Sequence, residues 1–368
     1  MKKVYNILAG IAITATLIVL PLVGVTLKGK PATRYLEFPP LTRYIEHADF
    51  SWPVFIALAV LIMAVVLPFA LRVITSRGLT DNGVKKNTCS FPRWGWFGLG
   101  LLLISWFMAW TRFDWFEPLQ IFTFSPIWFG YILVINGLTC KRTGHCMLKD
   151  RPLHLFALFF ISAFFWWYFE YLNRFVQNWH YVRIDHLSRL QYFVFATLPF
   201  STVLPAVLGT NELLESIPRI SAGLDNFVSI PVHRPRTAGF LGLLFSAAGL
   251  AAIGIWPDYL FPLLWLSPLI VVTSVQTIRG ETTVFSGISR GKWRRVYLLA
   301  LSALVCGFFW ELWNFRSVAK WIYAVPFVNR FRIFEMPVLG YAGYLPFGLE
   351  CAVVADLLAG KHKPVKSS

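Results

Sequence analysis

Residues 307–350 read GFFWELWNF (307–315), RSVAKWIYAVPFVNRFRIF (316–334) and EMPVLGYAGYLPFGLE (335–350). This stretch sets Glu311, Glu335 and Glu350 among aromatic, Gly and Pro residues. An earlier stretch, residues 166–208, is a weaker copy of it. We therefore interpret residues 307–350 as part of one half of an internal duplication, and as the half that is richer in ionisable groups.

The composition of the chain is that of a membrane protein. Of its 368 residues, 57% are hydrophobic and 14% are charged, and the mean hydropathy is +0.59. A soluble protein of this length is not so apolar, which predicts an all-α polytopic membrane protein. The formal charge of +16 does not indicate nucleic-acid binding, because the basic residues fall in loops between apolar runs.

Ten apolar runs of the length that a helix needs to cross a bilayer occur along the chain. The first has no small-residue cleavage site, so we interpret it as an uncleaved span. The runs lie near residues 7–25, 53–71, 95–111, 122–139, 153–173, 192–209, 238–256, 259–277, 296–315 and 337–358.

The basic residues predict the orientation of these spans. Alternate loops, including both termini, hold 22 Lys and Arg, and the other loops hold 12. By the positive-inside rule, both termini are cytoplasmic in a multi-pass protein of a bacterial-type inner membrane. The five cysteines show no framework spacing and none lies in a predicted outer loop, so no disulfide is expected.

An internal repeat is the most specific pattern in the sequence. Ten ordered pairs of identical or similar residues recur at separations of 141 to 144, among them Glu170 with Glu311, Asn173 with Asn314 and Trp179 with Trp321. Each copy contains four spans, so the copies enter the membrane in the same orientation and form parallel-topology repeats. The predicted units are an N-terminal helical hairpin (1–88), a first four-helix repeat (89–225) and a second repeat with a cytoplasmic tail (226–368).

Two Glu/Asn pairs are the first candidate site residues. Glu311 and Asn314 are three residues apart on a helix, as are Glu170 and Asn173, so each pair faces one way. A carboxyl held away from water tends to keep its proton, which suits a proton donor, and ionisable groups in a membrane are candidates for function. The alternative is that each pair forms structural hydrogen bonds between helices.

Two further acids are present in the second copy alone. Glu350 aligns with Gly209 and falls near the middle of the last span, and Glu335 aligns with Ala196. Gly340 and Gly343 predict close approach of a helix or a ligand, and Pro346 predicts a kink. A kinked, Gly-rich helix with a buried acid suits a pocket wall. The alternative is a Glu350 satisfied by a neighbouring Tyr or by the backbone.

Aromatic residues surround these acids. We expect Trp310, Trp321 and Tyr323 to contact a substrate and Tyr341 and Tyr344 to supply polar groups to a pocket. The alternative for Trp321 and Tyr323, and for Trp179 and Tyr181 in the first copy, is an aromatic belt at the membrane surface.

The string FFWELWN at residues 308–314 resembles the small integral-membrane cyclases of carotenoid and meroterpenoid biosynthesis, in which an acid lies on an aromatic-rich membrane helix. The likeness covers these seven residues. It implies proton-initiated chemistry on an isoprenoid.

The sequence has no phosphate loop, no HExxH, no GxSxG and no standard metal spacing. We therefore expect no cofactor and no metal. The favoured prediction is a cofactor-independent intramembrane enzyme that acts on a lipid or isoprenoid through Glu311, Glu350 or Glu335, with Asn314 as an orienting partner and with Glu170 and Asn173 at the substrate. The alternatives are a proton-coupled transporter or lipid exporter, and a scaffold without a ligand. The expected partner is a membrane lipid or an apolar small molecule; the oligomeric state is left open.

Overall fold

The computed structural model describes residues 9–76 and 89–358. Parts of three expectations lie outside these residues: the start of the first span, the boundary placed at residue 88 and the basic tail from Lys361. The described chain is mostly helical, and its long helices overlap all ten apolar runs. They are α1 (Ala9–Leu27), α2 (Trp52–Ser76), α3 (Arg93–Trp110), α4 (Phe124–Thr143), α5 (Pro152–Val176), α6 (Arg189–Phe200), α7 (Val203–Glu215), α8 (Pro235–Ala252), α9 (Pro262–Ile278), α10 (Arg294–Phe315) and α11 (Tyr344–Leu358).

Six helical segments among the described residues are long and apolar enough to cross a membrane, which is consistent with an integral membrane protein. A seventh is possible if α3 and the helical turns at Asp114–Gln120 count as one span, although they are bent by 113°. The helix α9 is apolar but shorter than these six segments. The count of ten spans stays a prediction.

The segments that lead into α7 and α11 are each interrupted near the start of that helix. The helices α6 and α7 are separated at Ser201 and Thr202, between Pro199 and Pro205. Near the C-terminal end of the described chain, a 3-10 helix at Val338–Gly343 leads into α11. The change of helix type lies before Pro346, which falls in the first turn of α11, where its missing N–H breaks no helical hydrogen bond.

The core lies where α4, α5, α7, α10 and α11 meet. Its largest fully buried side chains include Trp128, Phe169, Trp313 and Phe347. Phe347 stacks against Phe165 at 5.8 Å between ring centroids, which joins α11 to α5. Aromatic rings therefore fill the centre of the bundle.

Glycines permit the closest helix contacts. A Cβ on Gly348 would lie 2.0 Å from the carbonyl oxygen of Leu299, so α11 and α10 touch backbone to backbone there. Gly307 of α10 lies against the ring of Tyr344. Of the two glycines expected to allow close approach, Gly343 has only ordinary contacts at 3.9 Å, to Trp265, and Gly340 lies against the side chain of Met336.

Short strands add a feature that the expectation of an all-helical chain did not contain. β1 (Trp179–Val182) and β2 (Lys320–Tyr323) pair antiparallel, and we call this pair the ribbon. A smaller antiparallel pair joins β3 (Arg332–Ile333) to β4 (Met336–Pro337). Each strand of the ribbon follows a long helix, so the ribbon covers one end of the bundle.

The N-terminal segment packs on the bundle at two places. Gly24 brings α1 against α8, since a Cβ there would overlap the carbonyl of Ala251. The connection between α1 and α2 crosses the ribbon end, where His47 contacts Asp258 at 2.7 Å. By contrast, α2 exposes most of its apolar side chains, as expected of a helix whose surroundings are lipid.

The substitution Gly348→Ala should destabilise the protein, because its methyl group would overlap the Leu299 carbonyl. Overpacking of this kind costs roughly 1–3 kcal/mol. Thermal melting of purified protein, followed by size-exclusion chromatography, measures the change. Gly100→Ala is the matched control, since nothing lies within 4 Å of the added atom. Equal melting of the two variants would contradict the backbone contact.

Candidate functional site

Glu311 is fully buried on α10. Its two carboxyl oxygens differ in their hydrogen bonds. Oε1 accepts hydrogen bonds from the hydroxyl groups of Tyr323 at 2.8 Å and Tyr344 at 2.7 Å. Oε2 is buried and has no hydrogen-bond partner among the described residues. The indole N–H of Trp321 donates to the Tyr323 hydroxyl at 2.9 Å, which extends the chain of donors. Glu311 therefore has one satisfied oxygen and one that is free to hold or give a proton.

Glu170 occupies a similar environment on α5. Its Oε1 accepts hydrogen bonds from the Tyr181 hydroxyl at 2.7 Å and from the indole N–H groups of Trp166 and Trp179, both at 3.1 Å. The strand that follows each helix thus returns a tyrosine hydroxyl to the carboxyl of that helix. Indole and phenol groups suit this position, because each presents an apolar body and one polar atom.

The two asparagines hold the strands in place. The amide of Asn314 donates to the carbonyl of Trp321 at 2.9 Å and accepts from its backbone N–H at 3.0 Å. Asn173 makes the same two bonds with the backbone of Trp179, at 2.8 and 3.3 Å. Both hydrogen bonds of the Asn314 amide thus go to the backbone of β2 rather than to the Glu311 carboxyl that it was expected to orient.

The register of the ribbon is symmetric with respect to the sequence. Trp179 pairs with Tyr323, His180 with Ile322, and Tyr181 with Trp321. If each residue of these three pairs is replaced by the one 142 positions away, the same three pairs result; the fourth pair, Val182 with Lys320, has no such counterpart in the register. Because side chains alternate along a strand, Trp179, Tyr181, Trp321 and Tyr323 share one face.

Beneath that face is a cavity of about 80 Å³, which we call the aromatic cavity. Four of the predicted contact residues line it: Trp310, Trp321, Tyr323 and Tyr344. Trp166, Trp179, Tyr181 and Trp265 also line it and were not among the predicted contacts. The repeat pairs Trp179/Trp321 and Tyr181/Tyr323 were a signal for two of these. Partly exposed Phe195 and Pro199 on α6 line the side where the cavity meets the bundle surface.

Glu350 lies apart from this group, on α11. Its side chain is buried, and neither carboxyl oxygen has a hydrogen-bond partner in the described part of the chain. The hydroxyl groups of Tyr168 and Ser267 are buried beside one another, and Tyr168 also lies close to Glu350. Buried polar atoms are nearly always satisfied by protein or by water, so this cluster suits a bound water, proton or ion.

The remaining predicted residues lie at the edge of the site. Glu335 is in the turn between β3 and β4, where it forms an ion pair with Lys320 and lies 4.0 Å from Arg332. The hydroxyl of Tyr341 donates to the carbonyl of Ile333 at 3.2 Å, and Tyr341 does not line the aromatic cavity. Among residues 9–76 and 89–358, no three His, Cys, Asp or Glu side chains converge as a metal site would require.

A separate polar cleft of about 110 Å³ reaches Glu170 from the ribbon end. The connection between α1 and α2 covers it, and its lining includes Arg43, His47 and His180. Burial and the positive charge of Arg43 lower the pKa of His180 to about 4. His180 is therefore neutral at physiological pH.

No protein-family model, curated protein or solved structure matches this chain. The resemblance to membrane cyclases thus rests on residues 308–314 alone, and the arrangement of side chains must carry any functional argument.

The stability of the protein should fall as the pH falls from about 6.5 to 4. In this range the unfolded chain protonates His180 and the folded protein does not, so the stabilisation is present above the unfolded pKa of 6.5 and is lost as pH falls. His180→Ile, which copies Ile322 across the ribbon, should reduce this loss. Thermal melting of the wild type and of His180→Ile at pH 7 and pH 5 tests this expectation. An equal fall in melting temperature for the two proteins would contradict the role of His180.

Proposed function

We propose that this chain is an intramembrane enzyme that binds a lipid or isoprenoid in the aromatic cavity and transfers a proton without a cofactor. The observation that carries the proposal is Glu311: a buried carboxyl whose Oε1 is held by two phenol hydroxyls and whose Oε2 is unpaired. The rings of both tyrosines, Tyr323 and Tyr344, line the cavity.

A phenol hydroxyl can accept one proton while it donates another. Both hydroxyls donate to Glu311 in the structure, so in the proposed relay the hydroxyl of Tyr344 or Tyr323 turns its proton to an alkene or oxygen of the bound molecule and accepts the proton of Glu311 in its place. The indole faces of Trp166, Trp310 and Trp321 would stabilise the cation that forms, by cation–π interaction. Loss of a proton back to the carboxylate would complete an isomerisation or cyclisation with no net redox change.

The two-copy architecture is part of the proposal. It is supported by the symmetric register of the ribbon, by the matching amide bonds of Asn173 and Asn314, and by the matching tyrosine bonds of Glu170 and Glu311. In this architecture two four-helix units are related by a twofold axis through the ribbon. The second unit carries the active carboxyl. The ribbon end faces outward from a bacterial-type inner membrane, and both termini are cytoplasmic.

A proton-coupled transporter or lipid exporter is the second candidate, and Glu350 favours it. Unpaired buried carboxyls inside a membrane domain commonly mark ion or proton paths. A carrier also needs access from both aqueous sides. Clefts exist at both ends: the polar cleft beside Glu170, and one of about 920 Å³ lined by Glu215, Arg294, Arg295 and Asp356.

Glu311→Gln should abolish the activity while the protein still folds, because the amide oxygen still accepts the tyrosine hydrogen bonds but the side chain has no acidic proton. Glu170→Gln is the matched variant and should reduce the activity less than Glu311→Gln does. The measurement is a comparison of total lipid extracts from cells with and without each variant, alongside the amount of membrane-inserted protein.

Loss of a lipid product with Glu311→Gln alone supports the enzyme. An unchanged lipid composition, with Glu350→Gln abolishing proton-coupled movement of a lipid between leaflets, supports the carrier instead. Equal and mild effects of Glu→Gln at residues 170, 311 and 350 would contradict an active site in the second unit.

A further inference from the structure

Four basic residues surround a groove at the ribbon end, beside the aromatic cavity. We call it the basic groove; its volume is about 480 Å³ and its lining includes Arg112, Arg183, Arg316 and Lys320. The residues come from four places in the chain: the ends of α3 and α10, the end of β1 and the start of β2. No Asp or Glu is among the described residues that line it.

The positive charges in the basic groove are poorly compensated. Lys320 has a carboxylate partner, Glu335. Within the described ranges, Arg112, Arg183 and Arg316 form no ion pair. The guanidinium of Arg112 donates instead to the carbonyls of Ala109, Thr111 and Arg316, and Arg316 lies over the ring of Trp110 at 5.5 Å.

Arg183 and Arg316 are close enough for their charges to act on Arg112. Like charges held near one another are unfavourable unless an anion lies between them. Arginine suits phosphate in particular, because its planar guanidinium can donate two parallel hydrogen bonds to a pair of oxygens. The groove therefore has the charge and the donor type of a phosphate site.

The basic groove and the aromatic cavity share a wall. Val318 and Lys320 line the groove, and Ala319 between them lines the cavity. On β2, the side chains of Lys320 and Trp321 point to opposite faces, so one belongs to the groove and the other to the cavity. The two sites therefore lie on opposite faces of β2, and a molecule with an anionic head in the groove reaches the cavity with its apolar chain by passing around the edge of this strand.

We propose that the basic groove binds the phosphate or diphosphate head of an amphiphile whose apolar chain enters the aromatic cavity. The assignment of the chain to the cavity rests on the function proposed above. The assignment of the head to the groove stands on the four cations alone.

Binding of octyl phosphate, inorganic phosphate and octanol to the purified full-length protein in detergent tests the proposal, by native mass spectrometry or calorimetry. Octyl phosphate should bind more tightly than either of the others. Arg183→Gln and Arg316→Gln should each weaken it at least about tenfold, since each removes a charge-assisted contact. Arg330→Gln is the control, because Arg330 lies over the ring of Phe50, outside the groove, and should change little.

A cavity variant separates the two parts of the proposal. Ala319→Leu adds bulk to the cavity wall and leaves the four cations in place. It should therefore weaken the binding of octyl phosphate and leave the binding of inorganic phosphate unchanged. If Ala319→Leu leaves octyl phosphate binding unchanged, the cavity assignment fails and the head site stands. If inorganic phosphate binds as tightly as octyl phosphate, the proposal that the ligand is an amphiphile is contradicted. If the double variant of Arg183 and Arg316 binds octyl phosphate normally, the groove is not an anion site.

Discussion

Two buried carboxyl groups need hydrogen-bond donors, and this need explains why the ribbon forms at one end of the bundle. Glu170 and Glu311 lie inside an apolar bundle, where an unpaired acid is costly. On each, Oε1 accepts a hydrogen bond from a tyrosine hydroxyl of the strand that follows its helix. That strand must therefore return over the helix end, where the Asn173 or Asn314 amide fixes its backbone. The two strands then pair, and their aromatic faces enclose the cavity.

Glu170 and Glu311 share this scheme but have different surroundings. Glu170 is reached by a polar cleft and has three donors on one oxygen, two of them indoles. Glu311 is fully buried and accepts hydrogen bonds from two phenol hydroxyls. Glu335 lies in the turn between β3 and β4 and Glu350 lies on α11, so both additional carboxyl groups are in the segment that follows β2.

Much of the helical fold was predictable, because apolar length determines where helices form in such a chain. The apolar run at 153–173 lies in the helix α5 (Pro152–Val176), and the run at 296–315 lies in the helix α10 (Arg294–Phe315). The ribbon was not predictable: four-residue strands rich in Trp and Tyr have the composition of a membrane-surface belt. Trp265 was missed because nothing local distinguishes it from a core residue. It reaches the cavity only through the packing of α9 against α5, where its ring stacks on Phe169.

Photo-crosslinking at the mouth of the aromatic cavity tests most directly whether the cavity holds an apolar ligand. A benzophenone amino acid would replace Phe195, which lines the cavity, or Phe164, which is 77% exposed on the surface of α5. After irradiation in native membranes, mass spectrometry of the purified protein identifies the attached molecule. We expect one defined lipid or isoprenoid adduct at position 195 and only bulk membrane lipids at position 164. The same bulk lipids at both positions would contradict a ligand site beneath the ribbon.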